Sequence, residues 1–213
     1  MKIVLFGATG MIGRRIAAEA VQRGHHVVAA SRSGDAPLDH ELLARAAVDA
    51  GSAEQVADVV AGADVVASAL VPPRDGSDPR APFTALYRTF LAGLRTGGVP
   101  RVLVVGGAGS LTVDGGASLM DAPGFPPEYR QEALAHADLL ADLRLADDLE
   151  WTSVSPAAVI APGQRTGSFR VGGDALLTDA EGNSAISAED YAVAFVDEIE
   201  QGAHPRARMS VAY

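Results

Sequence analysis

Three glycines close to the amino terminus have the residue type and spacing that phosphate binding requires. They occupy positions 7, 10 and 13, in the pattern G-x-x-G-x-x-G. Gly7 would permit a tight turn, Gly10 would let the backbone approach a pyrophosphate, and Gly13 would let a helix lie close to the preceding strand. The free N–H groups and the dipole at the start of such a helix favour an anion. The pattern predicts a dinucleotide-binding loop made of these residues: Gly7, Ala8, Thr9, Gly10, Met11, Ile12 and Gly13.

The elements on either side of these glycines agree with this interpretation. Residues 3–6 are an apolar run typical of a buried parallel strand, and the apolar residues from Ile12 to Val21 recur with a helical period. A glycine triplet alone is weak evidence, because turns also use glycine for geometry alone. Here the triplet follows a strand and opens a helix, which favours a bound dinucleotide over a glycine turn without a ligand.

The end of the second predicted strand indicates which dinucleotide would bind. The strand covers residues 27–30, and Ser31, Arg32 and Ser33 follow it, about twenty residues beyond the glycine loop, where an NAD-selective protein places an acid against the ribose 2′-hydroxyl. No acid occupies these three positions, and the Arg32 guanidinium has several donors for a 2′-phosphate. NADP(H) is therefore the preferred cofactor. Asp35 keeps NAD(H) possible, and an exposed loop arginine is the alternative interpretation.

The third predicted strand supplies a candidate contact to adenine. It covers residues 46–49 and is followed by Ala50 and by a short amphipathic helix over residues 53–60. The Asp49 carboxylate at the strand end is placed to accept a hydrogen bond from the adenine amino group. Capping of the following helix is an equally favoured role for Asp49.

The fourth predicted strand ends beside the glycine loop. It covers residues 64–70, and it ends in Ala69 and Leu70, at a position where small residues leave room for the adenosine half of the cofactor. Val71 opens a segment over residues 71–82 that is rich in proline and polar residues. This segment is predicted to be a mobile loop over the strand ends, where loops usually carry ligand contacts.

The fifth predicted strand leads into a glycine-rich segment. It covers residues 101–105, after a helix over residues 83–96, and runs into Gly106-Gly107-Ala108-Gly109-Ser110. Glycines there would let the chain pass close to a flat ring such as nicotinamide. The Ser110 hydroxyl would lie above that ring, which makes Ser110 the candidate catalytic residue.

The remaining pattern completes a single α/β domain over residues 1–213, a doubly wound parallel sheet of the Rossmann type. Residues 163–187 are expected to form a small substrate-side insertion near its carboxyl terminus. The later elements are predicted as an irregular loop at 112–127, a helix at 128–148, a strand at 151–154, a final helix capped by Ser187, with Tyr191, Phe195 and Ile199 on its core face, and a closing strand at 208–212.

Composition excludes several classes of function. The 213 residues carry a net charge of −10 and no cysteine, so a nucleic-acid partner is not expected and thiolate chemistry is excluded. No apolar run is long enough to span a membrane, and we expect the amino terminus to be a core strand rather than a signal peptide. His25 and His26 are assigned to a surface loop, with no metal. We expect a cytoplasmic protein, a monomer or weak homodimer, that acts on a small-molecule substrate without membrane contact.

Several segments together resemble the atypical short-chain dehydrogenase/reductases. Within them the similarity is to the NADH-flavin reductase-like branch, which is related to the biliverdin reductase B/flavin reductase type. The segments are GATG at 7–10, VVGGAGS at 104–110, WTSVSPA at 151–157, PGQRTG at 162–167 and ISAEDYA at 186–192. The resemblance implies NAD(P)H binding at the glycine loop, Arg32, Asp49, Ala69 and Leu70. It places the nicotinamide half along Gly106, Gly107, Ala108, Ser155, Pro156, Ala157 and Ala158.

The sequence departs from the superfamily in its catalytic group. Typical members use a Tyr-x-x-x-Lys pair, whereas Tyr129 is followed four residues later by Ala133, and Lys2 is the only lysine. Carbonyl chemistry through that pair is therefore disfavoured. Ser110, Tyr129 and His136 are the polar side chains considered near the pocket mouth. A loop hydroxyl or a solvated helix face is the alternative for each of them.

Reduction of a flavin does not need a tyrosine–lysine pair. Hydride can pass between stacked nicotinamide and flavin rings, and the flavin is its own electron sink. The protein then contributes orientation and exclusion of water. We therefore predict an NAD(P)H-dependent reductase of a quinone-like acceptor or a free flavin, with FMN or FAD as substrate rather than prosthetic group. The alternatives are an NADP(H)-binding redox sensor without turnover and, with less support, a nucleotide-sugar epimerase or dehydratase.

Overall fold

A computed structural model describes residues 1–73 and 76–213 of the chain. Within those residues the strands are β1 Lys2–Phe6, β2 His26–Ser31, β3 Leu43–Ala47, β4 Val65–Ser68, β5 Arg101–Val105, β6 Glu150–Ser155, β7 Val159–Ala161, β8 Arg170–Gly172, β9 Ala185–Ser187 and β10 Ala207–Ala212. The helices are α1 Gly13–Gln22, α2 Ala53–Val60, α3 Arg80–Thr96, α4 Arg130–Arg144 and α5 Ala188–Gln201, with 3₁₀ turns at Leu119–Asp121 and Pro127–Tyr129.

Eight of the strands form one sheet, in the order β3-β2-β1-β4-β5-β6-β10-β8. Every neighbouring pair from β3 to β10 is parallel, and β8 runs antiparallel to β10 at the edge. The chain winds outward from β1 in one direction and then from β4 in the other, so the strand order reverses between them. The prediction of a doubly wound Rossmann sheet is confirmed.

Two apolar layers cover the two faces of this sheet. Ile3 and Leu5 point into the layer shared with α1 and α5, whereas Val4 and Phe6 point into the layer shared with α2, α3 and α4. These four side chains are at most 1% exposed. A parallel strand that is covered on both faces must be apolar at every position, and this explains the uninterrupted run in the sequence.

The last helix shows how local sequence sets an element's limits. The Ser187 hydroxyl accepts a hydrogen bond from the Asp190 amide at 2.9 Å, so Ser187 caps α5 as predicted. Gly202 ends the helix in the left-handed conformation, with φ of +59°. Tyr191 and Phe195 are fully buried, and with Ile199 they form the predicted core face.

Several predicted boundaries were wrong. The third strand is Leu43–Ala47 rather than 46–49. It is a half-exposed edge strand with little apolar pattern, and its limits are set by its pairing with β2. The loop predicted over 71–82 ends earlier, since α3 begins at Arg80 and tolerates Pro82 in its first turn. Arg74 and Asp75 of that loop lie outside the described residues. The fourth helix stops at Arg144 rather than at 148.

The prediction that His25 and His26 both lie in a surface loop was wrong for His25. His25 is 8% exposed rather than a surface residue. Its Nδ1 lies 3.3 Å from the amino-terminal nitrogen of Met1, and its Nε2 lies 2.8 Å from a Glu200 carboxylate oxygen. His26 is exposed and begins β2. His25 therefore helps to join the amino terminus to the end of α5.

The first part of the segment from 163 to 187 is anchored by the buried carboxylate of Asp190. This carboxylate accepts hydrogen bonds from the Thr166 and Gly167 amides, at 2.8 and 2.7 Å, and from the Thr166 and Tyr213 hydroxyls, at 2.6 and 2.9 Å. Burial would raise the pKa of Asp190, but these hydrogen bonds outweigh burial and lower it. The fold therefore fixes where this segment starts, while its contribution to a substrate site stays a prediction.

Candidate functional site

The carboxyl ends of the parallel strands collect most of the predicted site residues at one edge of the sheet. The glycine loop follows β1, residues 31–33 lie at the end of β2, and Ala69 follows β4. Gly106 follows β5 and residues 155–158 lie at the end of β6. In open α/β sheets, ligands bind in the crevice outside these strand ends, at the point where the strand order reverses. Here that point lies between β1 and β4, beside the glycine loop.

The glycine loop is closed so tightly that two of its positions exclude a side chain. Gly7 has φ of +73°, and a Cβ there would lie 2.6 Å from the Ala69 carbonyl oxygen. A Cβ on Gly13 would lie 2.1 Å from the Gly7 carbonyl oxygen. The Gly10 amide donates to the Gly7 carbonyl at 3.1 Å. The loop thus brings the start of α1 against the end of β1, as the spacing predicted.

The amino terminus of α1 has no side-chain cap, which distinguishes it from two other helices. Ser52 caps α2 and Ser187 caps α5, whereas Ile12 precedes α1 without a side-chain hydrogen bond to its amides. Thr9, Gly10 and Met11 in front of this helix are exposed. The Arg14 and Arg15 amides already donate to the Gly10 and Ile12 carbonyls, at 3.0 Å each. A pyrophosphate would therefore accept hydrogen bonds from the amides just before Arg14, at the positive end of the helix dipole.

The residues predicted to select the cofactor surround a compact turn after β2. The hydroxyls of Ser31 and Ser33 donate to Asp35, the first to its backbone carbonyl at 2.9 Å and the second to its carboxylate at 2.6 Å. Arg32 is exposed between them. Its guanidinium has no hydrogen bond or ion pair with the residues that the structure describes. A cation is thus presented at the position where the 2′-substituent of an adenosine ribose is expected.

Asp49 lies beyond β3 and does not cap the following helix. Its side chain accepts a hydrogen bond from the Gly51 amide at 2.9 Å, while Ser52 caps α2. The capping alternative for Asp49 is therefore wrong. The Asp49 carboxylate remains exposed and keeps acceptor capacity for an adenine amino group, and Ala50 beside it is buried.

The segment after β4 forms the opposite wall of the crevice. The Ala69 amide donates to the Phe6 carbonyl at 2.9 Å, so this residue continues the pairing between β4 and β1. Leu70 is half-buried, and Val71 is 53% exposed. These three residues pass from the core to the surface directly beside Gly7.

The predicted nicotinamide half lies between β5 and β6. The Gly106 amide donates to the Val154 carbonyl at 2.8 Å, which brings Gly106 beside Ser155. A Cβ on Gly106 would lie 2.7 Å from the Ser153 hydroxyl oxygen, and a Cβ on Gly107 would lie 2.8 Å from the Cβ of His136. These glycines are therefore required for packing against β6 and α4, a reason that the sequence did not reveal. The other predicted contacts in this half are Ala108, Pro156, Ala157 and Ala158.

Ser110 is held by a buried arginine from the far end of the chain. Arg208 Nη1 donates to the Ser110 hydroxyl oxygen at 2.9 Å, and Arg208 Nε donates to the Asp174 carboxylate at 2.7 Å. The Arg208 side chain is 4% exposed. Burial lowers the pKa of this guanidinium, and Asp174 opposes that effect. Because the serine oxygen accepts from Arg208, its own proton is available for donation to another group.

Lys2 and the two buried tyrosines do not form the tyrosine–lysine pair that typical members of the superfamily use. Lys2 lies at the amino end of β1, where its Nζ donates to the Ala61 carbonyl at 3.0 Å. Tyr87 and Tyr191 are buried, and each phenol makes a hydrogen bond within the core. The Tyr87 hydroxyl is bonded to the Ser68 hydroxyl at 2.7 Å, and the Tyr191 hydroxyl donates to the Val154 carbonyl at 2.6 Å. Burial raises the pKa of both phenols.

The two remaining polar candidates differ in exposure. Tyr129 is 59% exposed and directly precedes α4. His136 lies within α4, with its ring 5.2 Å from the ring of Phe83 in an edge-to-face arrangement. His136 thus packs between Phe83 and Gly107, closer to the predicted nicotinamide half than the sequence alone indicated.

Two kinds of feature are absent from residues 1–73 and 76–213. No group of three or more histidine or acidic side chains is arranged to hold a metal ion. No helix there combines the length and apolar character that crossing a membrane requires.

Comparison with known proteins identifies the family. Residues 7–201 match the family model described as NAD(P)H-binding. A candidate exported protein from Burkholderia pseudomallei is 50% identical, with a TM-score of 0.90 and full coverage of both chains. A candidate epimerase from Bacteroides thetaiotaomicron is 37% identical, with a TM-score of 0.91 over 100% of this chain and 96% of that one. A candidate NADH-flavin reductase from Streptococcus pneumoniae is 35% identical, with a TM-score of 0.84 over 100% and 99% of the two chains.

Proposed function

Because this chain belongs to the NAD(P)H-binding family, we propose that it is a reductase that uses NADPH to reduce a free flavin or a similar planar, conjugated acceptor such as a quinone. The family match supports an NAD(P)H-dependent oxidoreductase, and the resemblance to the flavin reductase-like branch of the atypical short-chain dehydrogenase/reductases is confirmed. FMN or FAD would enter as substrate and not as a prosthetic group. The acceptor class and the choice of NADPH over NADH are the proposal.

The proposed acceptor class rests on the position of Lys2. A carbonyl reductase of the typical kind needs a lysine beside a tyrosine near the nicotinamide, and the only lysine of this chain lies at the amino end of β1. The glycine loop and the uncapped start of α1 lie at the opposite end of that strand. A planar acceptor that stabilises the incoming electrons itself does not require such a pair.

The residues present fit a nicotinamide dinucleotide. Gly7 and Gly13 let the turn close, Gly10 has no side chain that would obstruct a pyrophosphate, and the backbone amides just before Arg14 would bind it. Arg32 would hold the 2′-phosphate, and Gly106 would border the nicotinamide. When bound, the cofactor supplies the hydride. The chain itself would orient the two rings and exclude water, and the Ser110 hydroxyl would donate a hydrogen bond to the acceptor.

An anaerobic stopped-flow experiment tests the proposal. Purified protein is mixed with NADPH and excess FMN while the absorbances of reduced nicotinamide and oxidised flavin are followed together. We expect both signals to decay faster than without protein. Parallel assays use FAD and quinones.

Two other functions would give different signals. An epimerase would leave the total amount of NADPH unchanged over many turnovers. A redox sensor would bind NADPH tightly without loss of either absorbance in any of the assays. If no acceptor is reduced, the proposed reductase activity is wrong, and the sensor becomes the leading interpretation.

Arg32→Asp is expected to reverse the cofactor preference. The guanidinium would make charge-assisted hydrogen bonds to the 2′-phosphate, each about 1.5–3 kcal/mol, so its loss should weaken NADPH binding about 10- to 100-fold. An aspartate at this position would also repel the phosphate and accept a hydrogen bond from the ribose 2′-hydroxyl of NADH. Titration of both nucleotides against the wild-type protein and the variant measures the change.

Arg45→Asp is the matched control for this charge reversal. Arg45 is 55% exposed on β3, and its nearest acidic partner is Asp39 at 3.7 Å. The control should leave the ratio of the NADPH and NADH dissociation constants unchanged. If the Arg32→Asp variant kept its NADPH affinity, the 2′-phosphate would not bind at this position.

A further inference from the structure

Two arginines at the carboxyl edge of the sheet lack a carboxylate partner within the described residues, and these are Arg14 and Arg32. Most other arginines have one, which is expected in a chain with a net charge of −10. The paired arginines are Arg15, Arg23, Arg45, Arg80, Arg88, Arg95, Arg101, Arg130, Arg144, Arg165 and Arg208. The positive charge left over at this edge is therefore available to an anionic ligand.

Arg14 is fixed to the glycine loop itself. Its Nη2 donates to the Thr9 carbonyl at 2.9 Å, and its Nε donates to the Gly10 carbonyl at 3.3 Å. A guanidinium has five N–H donors, so three remain for a ligand. Arg14 is exposed, as are Thr9 and Gly10. The two hydrogen bonds hold a flexible side chain in place before any ligand arrives.

The direction of Arg14 follows from the neighbours of α1. Gly13, Ile16 and Ala17 face the core. Arg15 and Arg23 contact α5, through Glu189 at 2.6 Å and Asp197 at 2.7 Å. Successive residues of a helix are rotated by about 100°. Arg14 therefore lies on the flank of α1 that faces away from α5.

That flank is the side on which β2 ends. Helix α5 lies over β6, since Tyr191 donates to the Val154 carbonyl. In the sheet, β6 and β2 lie on opposite sides of β1. Phe6 of β1 pairs in register with Ala30 of β2, so the start of the glycine loop is level with Ser31 and Arg32. Neighbouring strands lie about 4.8 Å apart, a distance that an arginine side chain spans.

We propose that Arg14 and Arg32 together bind the 2′-phosphate of NADPH, with Arg14 approaching from the glycine loop and Arg32 from the end of β2. This inference rests on the NADPH preference in the proposed function and adds a second specificity-determining residue. A phosphate that carries nearly two negative charges is better matched by two guanidinium groups than by one. Since Arg14 is fixed in place by the loop carbonyls, less of its side-chain entropy is lost on binding.

Calorimetric titration of NADPH and NADH into single variants tests the pair. Arg14→Met should weaken NADPH binding about tenfold and change NADH binding less than about twofold, because only NADPH has the 2′-phosphate. Arg14→Met combined with Arg32→Met should bring the two dissociation constants close to each other. Arg45→Met, which removes one positive charge from β3, should leave their ratio unchanged.

Adenosine 2′,5′-bisphosphate and 5′-AMP separate the 2′-phosphate from the rest of the cofactor. Arg14→Met should reduce the affinity of the first and not that of the second. An equal loss of NADPH and NADH affinity would mean that Arg14 only supports the loop, and unchanged NADPH affinity would mean that it does not touch the phosphate; either result overturns the proposal. Since these titrations require no turnover, they remain decisive if hydride transfer to an acceptor is never observed.

Discussion

Glu198→Ala is expected to lower the free energy of unfolding by about 3–5 kcal/mol, because it leaves a buried arginine without its counter-ion. The Glu198 carboxylate accepts hydrogen bonds from Arg101 Nη2 and from His204 Nδ1, each at 2.7 Å, and from the His204 amide at 2.9 Å. Arg101 is 9% and Glu198 3% exposed. Urea denaturation, followed by the fluorescence of the buried Trp151, measures the loss.

The pH dependence of stability gives a second test of the same group. Burial would raise the pKa of Glu198, but the hydrogen bonds from His204 and Arg101 outweigh burial and lower it. A lowered pKa in the folded state stabilises the protein above the pKa of the unfolded chain, and this contribution is lost as pH falls through the folded value. The stability curves of wild-type protein and Glu198→Ala should therefore converge in acid.

An exposed ion pair is the matched control for Glu198→Ala. Arg95 and Asp148 form a two-bonded pair, at 2.5 and 2.9 Å, but their side chains are 42% and 49% exposed. Asp148→Ala should change stability little, because solvent screens such pairs. Similar losses for Asp148→Ala and Glu198→Ala would contradict the argument that burial makes the second pair costly to break.

Local patterns in the sequence were sufficient to predict the doubly wound sheet and the glycine turn after its first strand. A strand that is buried on both faces must be apolar at each position, as β1 is, and a tight strand-to-helix turn must have glycine where Gly7 and Gly13 lie. These requirements involve neighbours in the chain. They are visible without knowledge of the rest of the fold.

Contacts between distant residues could not be predicted in this way. Arg208 reaches Ser110 across 98 positions and Arg101 reaches Glu198 across 97. Neither pair has a local signature, since an isolated arginine in a strand is usually solvated. The edge strand β3 was misplaced for a related reason: pairing with β2 and not hydrophobicity determines its residues. The predicted cofactor contacts stay predictions, although the fold brings most of them to one edge.

Gly13→Ala is expected to abolish useful nucleotide binding. Its Cβ would lie 2.1 Å from the Gly7 carbonyl oxygen and 2.9 Å from the Gly7 carbonyl carbon, and both atoms belong to the backbone. The start of α1 must therefore move away from β1, and overpacking of this kind costs about 1–3 kcal/mol of stability. The backbone amides around the start of α1 would then no longer point at the pyrophosphate. Loss of two charge-assisted hydrogen bonds should weaken NADPH binding at least about 100-fold, as measured by titration.

Gly10→Ala separates the effect on binding from the effect on folding. A Cβ on Gly10 would meet the Gly7 carbonyl oxygen at 3.4 Å, an ordinary contact, so this variant should fold with wild-type stability. Its added methyl group would still occupy space that the phosphates need, and NADPH affinity should fall. Gly173→Ala, where a Cβ meets nothing within 4 Å, should change neither property. If Gly10→Ala bound NADPH as tightly as the wild-type protein, the backbone at Gly10 would not approach the phosphates. The glycines would then serve only to pack the start of α1 against β1.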